Sequence, residues 1–272
     1  MQQIFKRSIQ YFVRPIKPFL KSRVAKIRSG PARGMRGKMG QWTIPFQDEM
    51  EDDFLRSLDL KNNVAFDVGA NVGAVTLFLG REVTEKGKVI AFEPHPGIVP
   101  LLLENIQLNN LSNVTIKEIG VGDTPGSFSL VVPNNKLGSG SFHQHSDEEN
   151  TTTYQVAVAP IDQLINDGSV PPPDFVKVDT EGLETAVLNG ARECMKNQQP
   201  SVMLEMHGET EAEKLQNATD VVSILLEHDY VVMHIEHRKL LTIDDVELAK
   251  RGHLFACSSQ DPNHGALMNW VH

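Results

Sequence analysis

The sequence predicts an α/β domain built on a parallel sheet. Short apolar strands alternate with helical patterns, a glycine-containing turn joins the first long strand to a helix, and acidic residues recur where strands end. The 272 residues are 40% hydrophobic and 22% charged, which suits a globular chain and excludes a disordered or collagenous one. No run approaches the roughly 18 apolar residues of a membrane-spanning helix. Two cysteines, Cys194 and Cys257, are too few for a disulfide framework or a four-thiolate metal site, so a reducing, cytoplasmic setting is expected.

Each element follows from its pattern. Residues 49–58 read as a short helix, 63–68 as a buried strand running into Gly69, and 74–81 as the next helix. Residues 88–93 form a second strand, followed by Pro94, Pro96 and a helix to about Asn109, and 113–120 form a third strand. Residues 122–160 interrupt the rhythm with two strands, 127–132 and 151–159, separated by a polar loop containing His143 and His145. This is a β insertion. The rhythm resumes with a strand at 174–179, a helix at 183–195, a strand at 201–206 and a helix at 211–228, then strands at 230–237 and 253–258.

Charge divides the chain. Residues 1–47 hold eleven Lys or Arg and no acid, whereas residues 48–272 hold 15 basic and 35 acidic residues. The chain thus reads as a basic extension, 1–47, and a domain, 48–272, whose acidic surface excludes general binding of nucleic acid. Phe5, Ile9, Phe12, Ile16, Leu20, Val24 and Ile27 recur at the helical period, although Pro15 and Pro18 break such a helix. Two readings stand for residues 1–28: contact with an anionic membrane surface, or packing against the body or another protein chain.

The stretch Asp67-Val68-Gly69-Ala70-Asn71-Val72-Gly73 lies between a strand and a helix. Its glycines permit a tight turn and close approach of a ligand to the backbone, and the helix start offers unpaired N–H groups. Glu93, twenty residues after Gly73, ends the next strand, where a carboxylate can accept hydrogen bonds from a ribose diol. The glycine pattern of dinucleotide folds is missing, since Asn71 and Ala74 stand where it needs glycine. Asp67 opposes a pyrophosphate and suits a cationic ligand. S-adenosylmethionine, which has no phosphate and carries sulfonium and ammonium groups, fits this charge. A tight turn in an unrelated α/β protein is the plainer alternative.

With these motifs in order, residues 60–207 resemble the FkbM family of S-adenosylmethionine-dependent methyltransferases. The matching elements are the run Phe66 to Gly73, Ala91-Phe92-Glu93-Pro94-His95-Pro96, Asn105-Ile106-Gln107-Leu108-Asn109, Val176-Lys177-Val178-Asp179-Thr180-Glu181-Gly182 and Glu205-Met206-His207. Gly30-Pro31-Ala32-Arg33-Gly34 looks like the family's lead-in segment. The resemblance implies a Rossmann-like, seven-stranded sheet, mostly parallel with the last strand antiparallel. It also implies that Asp67, Gly69, Asn71 and Gly73 line the methionine end of the cofactor, that Glu93 holds the ribose, and that Asp123 lies near the adenine amino group.

Lys177, Asp179, Glu181, Glu205 and His207 fall at or beyond the carboxyl ends of two strands, the edge where open α/β sheets bind ligands. Methyl transfer depends mainly on positioning, and an alcohol acceptor must also lose a proton. Asp179 and His207 are the candidates for that task. Glu181 also suits a helix cap, and His207 also suits satisfying a strand end. The ligand types allow a divalent metal at Asp179, Glu205 and His207, but the spacing does not demand one and none is expected.

The sequence thus predicts O-methylation of a hydroxyl on a sugar, glycan or secondary metabolite, with a small-molecule or glycan acceptor and no nucleic-acid partner. N-methylation and a non-catalytic nucleotide-binding role are the alternatives. A nicotinamide-dependent oxidoreductase is disfavoured by the missing glycines.

Overall fold

The computed structural model describes residues 23–38, 49–133 and 151–271. Most of the apolar stripe of the basic extension, with Pro15 and Pro18, lies outside those residues, as do His143 and His145. The described part of the extension is a hairpin in which β1 (Val24–Lys26) pairs antiparallel with β2 (Arg36–Lys38). Gly30 and Gly34, both at positive φ, turn the chain between them, so Val24 lies on a strand and Ile27 just beyond it rather than on a helix. Ile27, Ala32 and Met35 pack with Leu77, Leu102 and Ile106 of the body.

The body continues through α1 (Glu49–Ser57), β3 (Val64–Val68), α2 (Ala74–Glu82), β4 (Lys88–Phe92), α3 (Val99–Leu108) and β5 (Val114–Lys117). Next come β6 (Gly120–Val121), β7 (Gly126–Pro133), β8 (Thr151–Ala159), α4 (Ile161–Asn166), β9 (Phe175–Val178), α5 (Glu184–Asn189) and α6 (Arg192–Asn197). The described chain closes with β10 (Ser201–Met206), α7 (Glu211–Glu227), β11 (Tyr230–His234), β12 (Lys239–Leu240), β13 (Gly252–Ser258) and α8 (His264–Val271). The main sheet has the order β12-β11-β13-β10-β9-β3-β4-β5. Strands β5, β4, β3, β9 and β10 run parallel, and β13 inserts antiparallel between β10 and β11. These are the seven strands expected, with the last one antiparallel, and the two-residue β12 extends one edge. A second sheet, of order β6-β8-β7, forms the insertion.

Both faces of the main sheet are covered, so its central strands are nearly continuous apolar runs. Phe66, Phe92, Val176 and Leu204 pack with Val187 of α5 and with Val221 and Leu225 of α7. On the opposite face Ala65, Phe175, Met203 and Phe255 meet Phe54 of α1, Phe78 of α2 and Leu267 of α8. Phe54 makes edge-on ring contacts with Phe255 at 4.8 Å and Trp270 at 5.3 Å. Trp270 belongs to a helix that the sequence pattern does not announce.

Three expected elements differ, each for a local reason. The third strand stops at Lys117 because β4, its partner, ends there: Glu93 N–H donates to the Lys117 carbonyl at 3.1 Å, and Pro94 has no N–H to continue. The chain then enters the small sheet as β6. The helix expected at 183–195 breaks into α5 and α6 at Gly190, where a Cβ would lie 2.1 Å from the Gly122 carbonyl oxygen. Asp162 of α4 then accepts the N–H groups of Glu193 and Cys194 at 2.9 and 2.8 Å, capping α6 from outside. The strand expected at 230–237 ends at His234, and the turn that follows holds Arg238 at φ 50°.

Phe54→Ala should lower unfolding free energy by about 3–5 kcal/mol, because the ring is fully buried between β13 and α8. Urea titration measures this. A cost below about 1 kcal/mol would show that α1 is not held as a core element.

Candidate active site

The turn after β3 shapes the site. Gly69 and Ala70 donate N–H bonds to the Phe92 carbonyl at 3.1 and 3.0 Å, folding the turn over the end of β4. A Cβ on Gly69 would lie 1.8 Å from the Asp179 carbonyl oxygen, so glycine is required by the approach of β9 as much as by its φ of 86°. Asn71, at φ 49°, directs its N–H to Glu93 Oε2 at 2.8 Å. Glu93 Oε1 accepts the His95 N–H at 2.8 Å. Each carboxylate oxygen thus takes one backbone donor and keeps a second acceptor site. Burial pushes the Glu93 carboxyl up, against the lowering effect of those two hydrogen bonds.

A groove open to solvent runs past these groups. Val68, Phe92, Ile98, Ile119, Val121, Leu130 and Leu183 line it, with Gly69, Asn71, Glu93, Asp179 and Glu181 as polar or backbone groups. Leu130 comes from the inserted sheet, so the insertion forms part of the wall.

Four of the expected site residues stand elsewhere. Asp67 is buried, and its Oδ2 accepts the Thr76 hydroxyl at 2.5 Å, tying β3 to α2. Gly73 precedes α2 at φ 98°, and a Cβ there would meet Leu102 of α3 at 2.7 Å, so it is a packing glycine. Asp123 is exposed beyond β6, away from the groove lining. Lys177 is 1% exposed, with its Nζ 3.6 Å from Glu51.

Asp179, Glu181, Glu205 and His207 do come together. His207 Nε2 faces Glu205 Oε1 at 3.4 Å, Asp179 Oδ1 at 3.9 Å and Glu181 Oε2 at 4.0 Å, while Nδ1 lies 3.3 Å from Glu184 Oε1. Burial lowers the basicity of this imidazole, but hydrogen bonding to Glu184 and Glu205 and the charge of Asp179 outweigh it and raise the His207 pKa. Asp179 is shifted up, mainly by desolvation, with Lys177 opposing and Glu205 adding to the effect. Desolvation also acts to raise Glu205, yet bonds from His207 and His253 and the Lys177 charge leave it lowered. Within the cluster, His207 and Asp179 hold a proton more readily than free side chains do, and Glu205 holds one less readily.

The sequence reading missed Glu184, Glu51, His253 and Glu236. Glu184 is fully buried and accepts Gly182 N–H at 3.0 Å and Asn217 Nδ2–H at 2.6 Å. It caps this turn in the place considered for Glu181, and its spacing in Thr180-Glu181-Gly182-Leu183-Glu184 was the available signal. His253 is opposite Glu205 in the β10–β13 register, 3.6 Å from its Oε2, and its Nδ1 lies 2.6 Å from Glu236 Oε1. No local pattern reveals that cross-strand pairing.

The Asp67 environment makes a pH prediction. Desolvation raises its pKa from 3.8 to about 6 against the Thr76 hydrogen bond. The folded state holds this proton more tightly than the unfolded state, so the contribution of Asp67 to stability is greatest below pH 3.8 and is lost as pH rises through about 6. The loss amounts to about 3 kcal/mol. Asp67→Asn should remove that component, gaining on wild type between pH 4 and 7 in pH-dependent denaturant unfolding. A constant difference across that range would show that Asp67 does not titrate this way.

The comparisons with known proteins agree with one another. The family model for the methyltransferase FkbM domain matches residues 67–232. A hexuronic acid methyltransferase, AglP of Haloferax volcanii, is 25% identical over 207 residues, covering 74% of this chain and 78% of that protein. Methyltransferase 1 of Beauveria bassiana is 28% identical over 142 residues, covering 46% and 56%. Among solved structures, the FkbM methyltransferase of Methylobacillus flagellatus aligns with a TM-score of 0.47 and 22% identity. That alignment covers 74% of this chain but 44% of the other, so the chain spans under half the length of that protein. The matched segment runs from Asp67 in β3 to Val232 in β11 and takes in the groove and the carboxylate–imidazole cluster, and the chain belongs to the FkbM family of methyltransferases.

Proposed function

We propose that this methyltransferase moves a methyl group from S-adenosylmethionine to a hydroxyl of a sugar, glycan or related small molecule. The observation that carries the reading is Asp179, which lines the groove and also belongs to the cluster around His207. The groove fits the cofactor chemically. Glu93 keeps acceptor capacity for a ribose diol, the apolar wall suits an aromatic base, and Glu181 provides negative charge near the turn for a sulfonium or ammonium group. When bound, the cofactor supplies an electrophilic methyl group. The chain's own part is positional and electrostatic: Gly69 and Asn71 shape the floor, and the groups around Asp179 orient the acceptor and draw off its proton. The Haloferax relative is named for methylating a hexuronic acid, which supports a sugar acceptor here.

Calorimetry with S-adenosylhomocysteine tests the cofactor assignment. Glu93→Ala should weaken binding at least tenfold, since charged hydrogen bonds are worth roughly 1.5–3 kcal/mol each. Unchanged affinity would remove Glu93 from the cofactor site, and absence of binding by wild type would sink the whole reading. Asp179→Asn should keep that affinity but lower turnover on sugar or glycan acceptors by roughly 10²–10⁴-fold, read from transfer of labelled methyl groups. Full turnover in this variant would separate the cluster from the chemistry.

A further inference from the structure

We propose that Asp179, Glu205 and His207 hold a divalent cation, of the Mn²⁺ or Zn²⁺ type, beside the groove. The proposal rests on the methyltransferase reading of that groove and adds a metal to it. The three side chains each present one ligand atom, and these atoms all lie within 4.8 Å of one another. His207 Nε2 lies 3.4 Å from Glu205 Oε1 and 3.9 Å from Asp179 Oδ1. Both separations fall within the range open to two ligands of one ion, from about 3 Å for neighbouring ligands to about 4.4 Å for opposite ones at bonds of about 2.0–2.2 Å.

The surroundings are those of a ligand set rather than a surface patch. Glu184, fully buried and fixed by Gly182 and Asn217, faces His207 Nδ1 at 3.3 Å. That leaves Nε2 directed at Asp179 and Glu205, the carboxylate–histidine–metal arrangement in which an outer carboxylate sets the tautomer of the ligand. Glu205 has its own outer partner, His253, which is held in turn by Glu236. Four carboxylates, Asp179, Glu181, Glu184 and Glu205, have an oxygen within 4.0 Å of this single imidazole, beside the cations Lys177 and His253. One imidazole with carboxylates suits a borderline first-row ion better than Ca²⁺, which prefers six to eight oxygens. Since Asp179 also lines the groove, an ion here would reach an acceptor hydroxyl and make it more acidic.

The test uses the full chain, stripped with chelator and dialysed, and Mn²⁺ as the probe. Loss of the free Mn²⁺ paramagnetic resonance signal should saturate at one ion per chain, and Zn²⁺ should compete. Asp179→Asn, Glu205→Gln and His207→Ala should each weaken binding more than tenfold while still binding S-adenosylhomocysteine, which shows that they are folded. Glu184→Gln should weaken it 10–100-fold through the outer contact alone. Absence of saturable binding by wild type, or equal binding by all four variants, would overturn the proposal. Wild type that binds S-adenosylhomocysteine but no metal refutes the ion and spares the methyltransferase reading. Failure to bind S-adenosylhomocysteine refutes that reading.

Discussion

The ammonium group of Lys177 is buried on β9, in the middle of the main sheet, with Glu51 of α1 3.6 Å away. Burial alone would strip its proton, but Glu51, Asp179, Glu205 and Asp67 surround it with negative charge and raise its pKa instead. The carboxylates gain in the same way, since the Lys177 charge draws Asp67, Asp179 and Glu205 downward against their own desolvation. A buried ion pair of this kind adds little net stability, yet losing one partner strands the other at a cost of about 3–5 kcal/mol. Its value lies in placement. It lets carboxylates gather at the carboxyl edge of a sheet that is otherwise apolar on both faces.

From that edge the charge network spreads along the sheet order. Glu51 links α1 to Lys177 on β9 and lies 3.6 Å from His253 on β13, while His253 faces Glu205 on β10. The aromatic packing of Phe54 and the charge of Glu51 come from the same short helix, so α1 braces the core and the polar edge together. On the groove side, the Asp179 N–H donates to the Val68 carbonyl at 2.9 Å while its own carbonyl crowds Gly69. The glycine turn and the acidic cluster are therefore in backbone contact, and their relative placement is set by strand pairing rather than by loop conformation.

Most of this architecture was legible in the sequence because its parts are local. The run from Phe66 to Gly73, the acid at Glu93 and the Asp179-Thr180-Glu181-Gly182 stretch each announce a strand end followed by a turn, and parallel pairing brings such ends to one edge. Alternation placed Glu205 with His207, and Lys177 with Asp179. Sequence position could not show depth. Asp67 and Gly69 are two residues apart, yet Asp67 turns into the helix layer and Gly69 lines the groove. The partners of His253 and Glu51 were illegible because they depend on which strands become neighbours across the antiparallel β13 and on how α1 lies over β9. The breaks at Lys117 and Gly190 likewise arise from backbone approaches between distant segments.

The groove draws its walls from two separate sheets. Glu93, Asp179 and the glycine turn belong to the main sheet, whereas Leu130 and the strand bearing Val121 belong to the smaller one. The smaller sheet has its own apolar patch of Leu130, Val132 and Val156 and takes no part in the charge network around Lys177. The two banks of the groove therefore differ in kind: the main sheet supplies its carboxylates, and the smaller sheet supplies apolar side chains.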